Sequence, residues 1–286
     1  MYINVNGVRL YFDVDGEGLT PDGSGMRQKP TVIMVHGGPG ADHAIYKPYY
    51  SQLTDIAQVI YYDHRGNGRS DSGSEKTWNL AQWADDLKGL CDALGIERPV
   101  VIGTSFGGFV AIAYAVKYPG HAAALTLISS AARMDFQTVY DAFERLGGPD
   151  VRAIAEDYWN NPSDETRARY RERCLPLYTR DSDALPDWVS RVLWRNETAL
   201  RFNGPRNEHG QMDFRSEMTR IQCPVLVMVG DEDPITPPDF SEEVVSLLPA
   251  RQVTYRRFAN CGHGVVADRP VEALREIRQF IIDVSG

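Results

Sequence analysis

Residues 99–118 read Pro-Val-Val-Ile-Gly-Thr-Ser-Phe-Gly-Gly and then Phe-Val-Ala-Ile-Ala-Tyr-Ala-Val-Lys-Tyr. An apolar run of strand type passes through Gly-x-Ser-x-Gly into a segment that is apolar nearly all round, and this succession constrains the fold more than any other in the chain. A strand followed at once by a buried helix needs a tight turn, with strained backbone angles at its apex and small neighbours that let strand and helix pass closely. Gly103 and Gly107 supply that room. The helix turns its N-terminal N–H groups and positive dipole end toward the apex. Ser105 is therefore a candidate nucleophile, and the N–H of Phe106 a candidate oxyanion donor.

Apolar runs of buried-strand type recur at Thr31–Val35, Ala57–Tyr62, Pro99–Gly103, Ala124–Ile128, Pro224–Val229 and Gln252–Phe258. Tyr2–Val5 and Val8–Val14 alternate apolar and polar residues around Asn6-Gly7, the pattern of an antiparallel edge hairpin. A polar, glycine-rich excursion follows at Asp15–Lys29. Helical spacing appears at Leu80–Leu94, Phe106–Tyr118 and Val271–Ile282. Strands alternating with helices predict an α/β fold with a mostly parallel, eight-stranded sheet covered on both faces. From Ala131 to about Arg220 the strand pattern stops, and helical stretches stand around Phe136–Leu146, Val151–Trp159, Asp164–Cys174 and Asp187–Phe202. Residues 131–220 are expected to form an inserted helical cap, with 1–130 and 221–286 making the core.

A hydroxyl nucleophile needs a base, and the base needs a third group to hold its tautomer. Of six histidines, His263 stands where a late loop is expected, in Asn-Cys-Gly-His-Gly between the last strand and the last helix. The acid should follow the preceding strand, where Asp231, Glu232 and Asp233 compete; Asp233 is preferred because Pro234 fixes the turn beside it. The order Ser105, Asp233, His263 is the one that this architecture uses. His36-Gly-Gly-Pro-Gly40 follows the strand Thr31–Val35, and the N–H of Gly38 is the expected second oxyanion donor.

The 286 residues, 43% of them hydrophobic, suffice for a large core. Formal net charge is −9 with both signs interspersed, so no basic stripe marks a nucleic-acid partner and no basic amphipathic helix marks a membrane surface. No apolar run has membrane-spanning length, and the first residues lack the basic-then-apolar pattern of a leader. A cytoplasmic monomer or homodimer acting on a small molecule is expected. Cys91, Cys174, Cys223 and Cys261 show no ligand spacing and read as reduced, buried thiols, Cys261 as a packing residue despite its nearness to His263. No cofactor or metal is expected: Asp231-x-Asp233 lacks further ligands, and Asp63-His-Arg-Gly-Asn-Gly-Arg-Ser70 lacks the ending of a phosphate loop. The latter reads as a structural turn braced by Asp63 and Arg65.

HGGPG at 36–40, DxRGxGxS at 63–70, GxSxGG at 103–108, GxxDxxTP at 230–237 and GH at 262–263 resemble the α/β-hydrolase superfamily, in particular its branch of proline iminopeptidases and related capped hydrolases. The resemblance covers Met1–Ser130 and Ile221–Gly286. It implies Ser105 as nucleophile, Asp233 and His263 as its partners, Gly38 and Phe106 as oxyanion donors, and acyl transfer as the chemistry, since serine at the elbow excludes relatives that use aspartate there. Aminopeptidases of the branch hold the substrate ammonium with a Glu in the cap and another just after the triad acid. Here Glu208 could be the first and Glu197 a substitute for the second, whose position is Pro234. Tyr140, Phe143, Tyr158, Trp159, Tyr170, Tyr178, Trp188, Trp194 and Phe202 give the cap an aromatic character suited to an apolar pocket. Gly37, Glu208, Trp194 and Glu197 are the candidate substrate contacts. The expectation is a hydrolase of a carboxylic ester or lactone of a hydrophobic small molecule, with an aminopeptidase as the first alternative and a non-catalytic ligand receptor as the second.

Overall fold

The computed structural model describes residues 1–180 and 188–285, without the side chains of Trp188 and Val189. Among the described residues ten strands form: β1 (Tyr2–Val5), β2 (Val8–Asp15), β3 (Leu19–Asp22), β4 (Gly25–Gln28), β5 (Thr31–Val35), β6 (Gln58–Tyr62), β7 (Val100–Thr104), β8 (Ala124–Ile128), β9 (Val225–Gly230) and β10 (Val253–Phe258). Eight make one sheet in the order β1-β2-β6-β5-β7-β8-β9-β10, parallel from β6 to β10, with β1 and β2 antiparallel at one edge. The inner strands β5–β9 are buried on both faces because their side chains alternate between two cores. Ile33, Val35, Val101, Leu125, Leu127, Val225 and Val227 enter one core, and Val32, Met34, Val100, Ile102, Ala124, Leu226 and Met228 the other.

Helices α1 (Leu80–Leu94) and α2 (Phe106–Lys117) follow β6 and β7. The Asn79 side chain caps α1 by accepting from Gln82 N, and Gly95 at φ +70° ends it in the left-handed region. Between β8 and β9 stand α3 (Phe136–Gly147), α4 (Pro149–Asn160), α5 (Asp164–Arg173), α6 (Trp188–Arg191), α7 (Asn196–Phe202) and α8 (Glu208–Gln211). The last helices are α9 (Pro238–Ser246), α10 (Val265–Asp268) and α11 (Pro270–Ser285). None of the described helices is long and apolar enough to cross a membrane.

Two segments differ from the sequence-based expectation. Asp15–Lys29 contains a separate hairpin, β3 with β4, whose mostly exposed side chains leave no apolar alternation to read. The single helix expected over Asp187–Phe202, of which Asp187 lies outside the described residues, is two short helices. Tertiary bonds interrupt it: Leu193 N donates to Asp42 Oδ2 at 3.0 Å and Arg195 N to Gly40 O at 2.8 Å.

Sheet order places the chemistry. The chain leaves β5 to one side for β6 and returns on the other for β7, so the loops after β5 and β7 flank a topological switch point at the carboxyl edge of the sheet. Val35 is in register with Gly103, which sets the 36–40 loop beside Ser105.

Buried charge anchors the loop after β6. Asp63 Oδ1 accepts from His43 N at 3.0 Å and lies 2.6 Å from His43 Nδ1, while Oδ2 accepts from Arg69 N at 2.8 Å. Arg65 sets Nε and Nη2 on the two oxygens of Asp86, each at 2.8 Å. Burial alone would push the Asp63 carboxyl up, but the hydrogen bond and charge of His43 and the hydrogen bond from its N–H more than offset it and hold it below its ordinary value. Its contribution to stability is present above the unfolded-state pKa and lost as pH falls through the lower folded one. Asp63→Asn should cost about 3 kcal/mol near neutrality, and urea unfolding should show the gap to wild type shrinking below about pH 4.

Candidate active site

Ser105 stands between β7 and α2 at φ +55°, ψ −122°, a conformation that side-chain-bearing residues rarely adopt. Its N–H donates to Ile128 O at 2.8 Å, and its carbonyl accepts from Ser130 Oγ at 3.1 Å and Gly108 N at 2.8 Å. The glycines around it are obligatory on contact grounds. A Cβ on Gly103 would overlap the Gly107 carbonyl, one on Gly107 the Val35 carbonyl, and one on Gly108 the Ser130 hydroxyl.

Next to the elbow, buried His36 fixes the glycine loop. Nε2 accepts from His64 N at 3.0 Å and Nδ1 donates to Gly37 O at 2.7 Å, and burial holds the ring below its ordinary pKa, so it is neutral. Gly38 has φ +127°, open only to glycine. Among the described residues, neither Gly38 N–H nor Phe106 N–H is engaged by another backbone group.

His263 follows β10 and lies with Nδ1 2.9 and 2.8 Å from the two carboxylate oxygens of Asp233. Asp233 is fully buried and accepts further from Ile235 N, Thr236 N and Thr236 Oγ1 at 2.8–2.9 Å. Burial would raise its carboxyl; the charge and hydrogen bond of His263, with the Thr236 and Ile235 N–H groups, more than offset that and keep it low. An ionised carboxylate only accepts, so Nδ1 carries the imidazole proton and Nε2 is left with its lone pair. Of the neighbouring acids, Glu232 pairs with Arg180 at 3.0 Å and Asp231 Oδ1 takes Cys261 N at 3.5 Å. Burial raises the Cys261 thiol, which remains protonated.

Ser105 and His263 open onto one cavity of about 250 Å³. Gly37, Gly38, Tyr46, Tyr49 and Tyr50 line it from the first loops. Tyr158, Trp159, Tyr170, Tyr178, Trp194 and Phe202 line it from the helical segment, whereas Tyr140 and Phe143 pack into the core. Two candidate contacts are corrected. Glu208 does not reach the cavity, because its Oε1 accepts from Leu80 N at 2.9 Å at the start of α1. Glu197 is exposed and lines a separate outer depression with Glu75 and Arg201. Arg167, Arg171 and His209 line the cavity and were not singled out from sequence. The arginines belong to a charged stretch that reads as a solvated helix face. His209 is stacked on Phe202, and burial lowers its pKa to about 3.

Asp42, His43 and Asp63 bring three potential metal-ligand atoms together. Arg69 already lies on both carboxylates, 2.9 Å from Asp42 Oδ2 and 3.7 Å from Asp63 Oδ2, and supplies the cation there.

The family model described as the alpha/beta hydrolase fold matches residues 30–270. The chain belongs to the α/β-hydrolase family. This α/β-hydrolase is 27% identical over 250 residues to the putative carbamate hydrolase RutD of Escherichia coli O81 (strain ED1a), covering 86% of this chain and 89% of that one. It is 25% identical over 292 residues to the proline iminopeptidase PfmaB of Pestalotiopsis fici, covering 98% of both. A thermophilic esterase from Thermogutta terrifontis superposes with a TM-score of 0.75 at 25% identity, covering 99% of each chain. The α/β-hydrolase is thus an enzyme that resembles proline iminopeptidases and esterases.

Proposed function

We propose that this enzyme hydrolyses a carboxylic ester or lactone of a hydrophobic small molecule through a Ser105–His263–Asp233 triad. In this reading His263 Nε2 takes the Ser105 hydroxyl proton as Oγ attacks the carbonyl, and returns it to the leaving alkoxide. It then deprotonates the water that releases the acid, while Asp233 stabilises the imidazolium. The N–H groups of Gly38 and Phe106 receive the oxyanion. Helices of the 131–220 segment act as a cap over Ser105.

The observation that carries the choice of substrate is the composition of the cavity wall. Aromatic and aliphatic side chains dominate it, and among the described residues no carboxylate lines it. A desolvated N-terminal ammonium needs an anion beside it. The likeness to PfmaB favours the aminopeptidase reading, but Glu208 and Glu197 both lie off the cavity.

Rates on aryl esters, lactones and L-prolyl-4-nitroanilide test the choice. The expected result is a kcat/KM for the best ester or lactone at least ~100-fold above the anilide, as loss of a paired buried charge implies. A preference for the anilide would reverse the assignment.

A further inference from the structure

We propose that the substrate carries a carboxylate, held in the cavity by the guanidinium groups of Arg167 and Arg171. The inference rests on the reading of this cavity as the substrate site. The two arginines stand one turn apart on α5, so their side chains share a face, and both line the cavity. Like charges at that spacing repel. Among the described residues neither has a carboxylate within 4.0 Å, whereas Arg169 on the same helix pairs with Asp157 at 2.6 Å. Arg167 is only 7% exposed, and its Nε is sealed without a partner.

Arg167 lies on the Tyr158 hydroxyl, and both arginines stand over an aromatic face. Their guanidinium carbons lie 5.9 and 4.7 Å from the centre of the Trp194 ring. A ring quadrupole softens the cost of burying a cation and does not replace a counter-ion. Burial and the charge of Arg167 both push the Arg171 guanidinium below its ordinary value, as expected of two cations sharing a wall.

Among the described residues no acidic side chain lines the cavity, so in this proposal the anion comes with the ligand. A carboxylate matches the planar donor fork of a guanidinium. It serves as a handle only: the ester bond breaks, water adds, an acid and an alcohol leave, and the handle makes no covalent bond.

Two matched probe pairs test this: 4-acetoxybenzoate against its methyl ester, and mono-4-nitrophenyl adipate against 4-nitrophenyl hexanoate. Together they place the charge on the alcohol side or the acyl side. Wild type should prefer the anionic member of at least one pair. Arg167→Gln or Arg171→Gln should lower that anionic-to-neutral ratio of kcat/KM by about tenfold or more, mainly through KM. Arg171→Lys should recover part of it, and Arg169→Gln should keep the wild-type ratio. Ratios unmoved by both glutamine variants would overturn the proposal.

If no probe is hydrolysed, the triad reading fails separately and binding decides. Adipate should quench tryptophan fluorescence in wild type and not in the glutamine variants; no wild-type response, or an equal response in all, refutes the handle. Unliganded Arg171→Gln should melt no lower than wild type, because removing one of two like charges that share a helix face relieves the helix. A lower melting point with loss of both members of a pair would make the arginines structural and end the proposal.

Discussion

Ser105→Ala should reduce kcat on the best ester by on the order of 10⁵–10⁶-fold while the protein folds and melts as wild type does. The rate loss follows from the proposed role, since no other hydroxyl in the elbow can take its place. Thr104 opens on the same cavity but belongs to β7, and Ser130 Oγ is spent on the Ser105 carbonyl. The unchanged stability follows from the local structure. What holds the elbow is backbone: Ser105 N on Ile128 O, and the Ser105 carbonyl shared by Gly108 N and Ser130 Oγ. Alanine keeps all three and suffers no more than serine from φ +55°. His263→Ala should fall nearly as far, and the double variant no further than either, because groups acting as one unit are not additive. A fluorophosphonate probe should label wild type and not Ser105→Ala. An unlabelled wild type would favour a ligand receptor, and substantial turnover by the variant would place the nucleophile elsewhere.

How much of this could be read before any coordinates depended on whether the signal was local. Strands β5, β7, β8 and β9 are runs of branched apolar residues buried on both faces, and such runs announce themselves. The turn at Ser105 was legible because Gly103 and Gly107, which flank it, are each required by contact with neighbouring main chain. Asp233 could be preferred over Asp231 and Glu232 only through Pro234; what separates the three physically is the reach to His263, a contact thirty residues distant in sequence. Glu208 shows the opposite case. A glutamate in the helical segment looks like an ammonium anchor until the start of α1 arrives to claim it through Leu80 N. Arg167 and Arg171 were illegible for a related reason. In sequence they sit among charges that suggest water, and only the packing of α5 against Trp194 and the cavity shows that, among the described residues, these two arginines have no carboxylate beside them.

Gly107→Ala should prevent folding, although it adds a single methyl group. The Cβ would overlap the Val35 carbonyl oxygen and stand 2.6 Å from its carbon and 2.7 Å from His36 O. These are main-chain atoms at the end of β5, a central strand bonded to β6 on one side and β7 on the other. They cannot yield without breaking a ladder, so α2 would have to lift from the sheet and surrender the contacts of its almost wholly buried surface. A loss above about 4 kcal/mol is expected, seen as insoluble expression or a collapsed melting transition. Two comparisons isolate the cause. Gly108→Ala meets Ser130 Oγ and Cβ, which are side-chain atoms, so adding Ser130→Gly should restore much of its stability; no side-chain substitution should rescue Gly107→Ala. Gly95→Ala has nothing within 4 Å of the new Cβ and suffers only from φ +70°, a cost of about 1 kcal/mol. Soluble Gly107→Ala protein with a wild-type melting curve would mean that strand and helix are not in contact at the elbow. The close approach matters for chemistry as well as for folding, because the same contact sets Ser105 beside the Gly37-Gly38 loop. A variant that folded by moving α2 outward should separate Ser105 from the proposed oxyanion donors and lose kcat even where it kept the sheet.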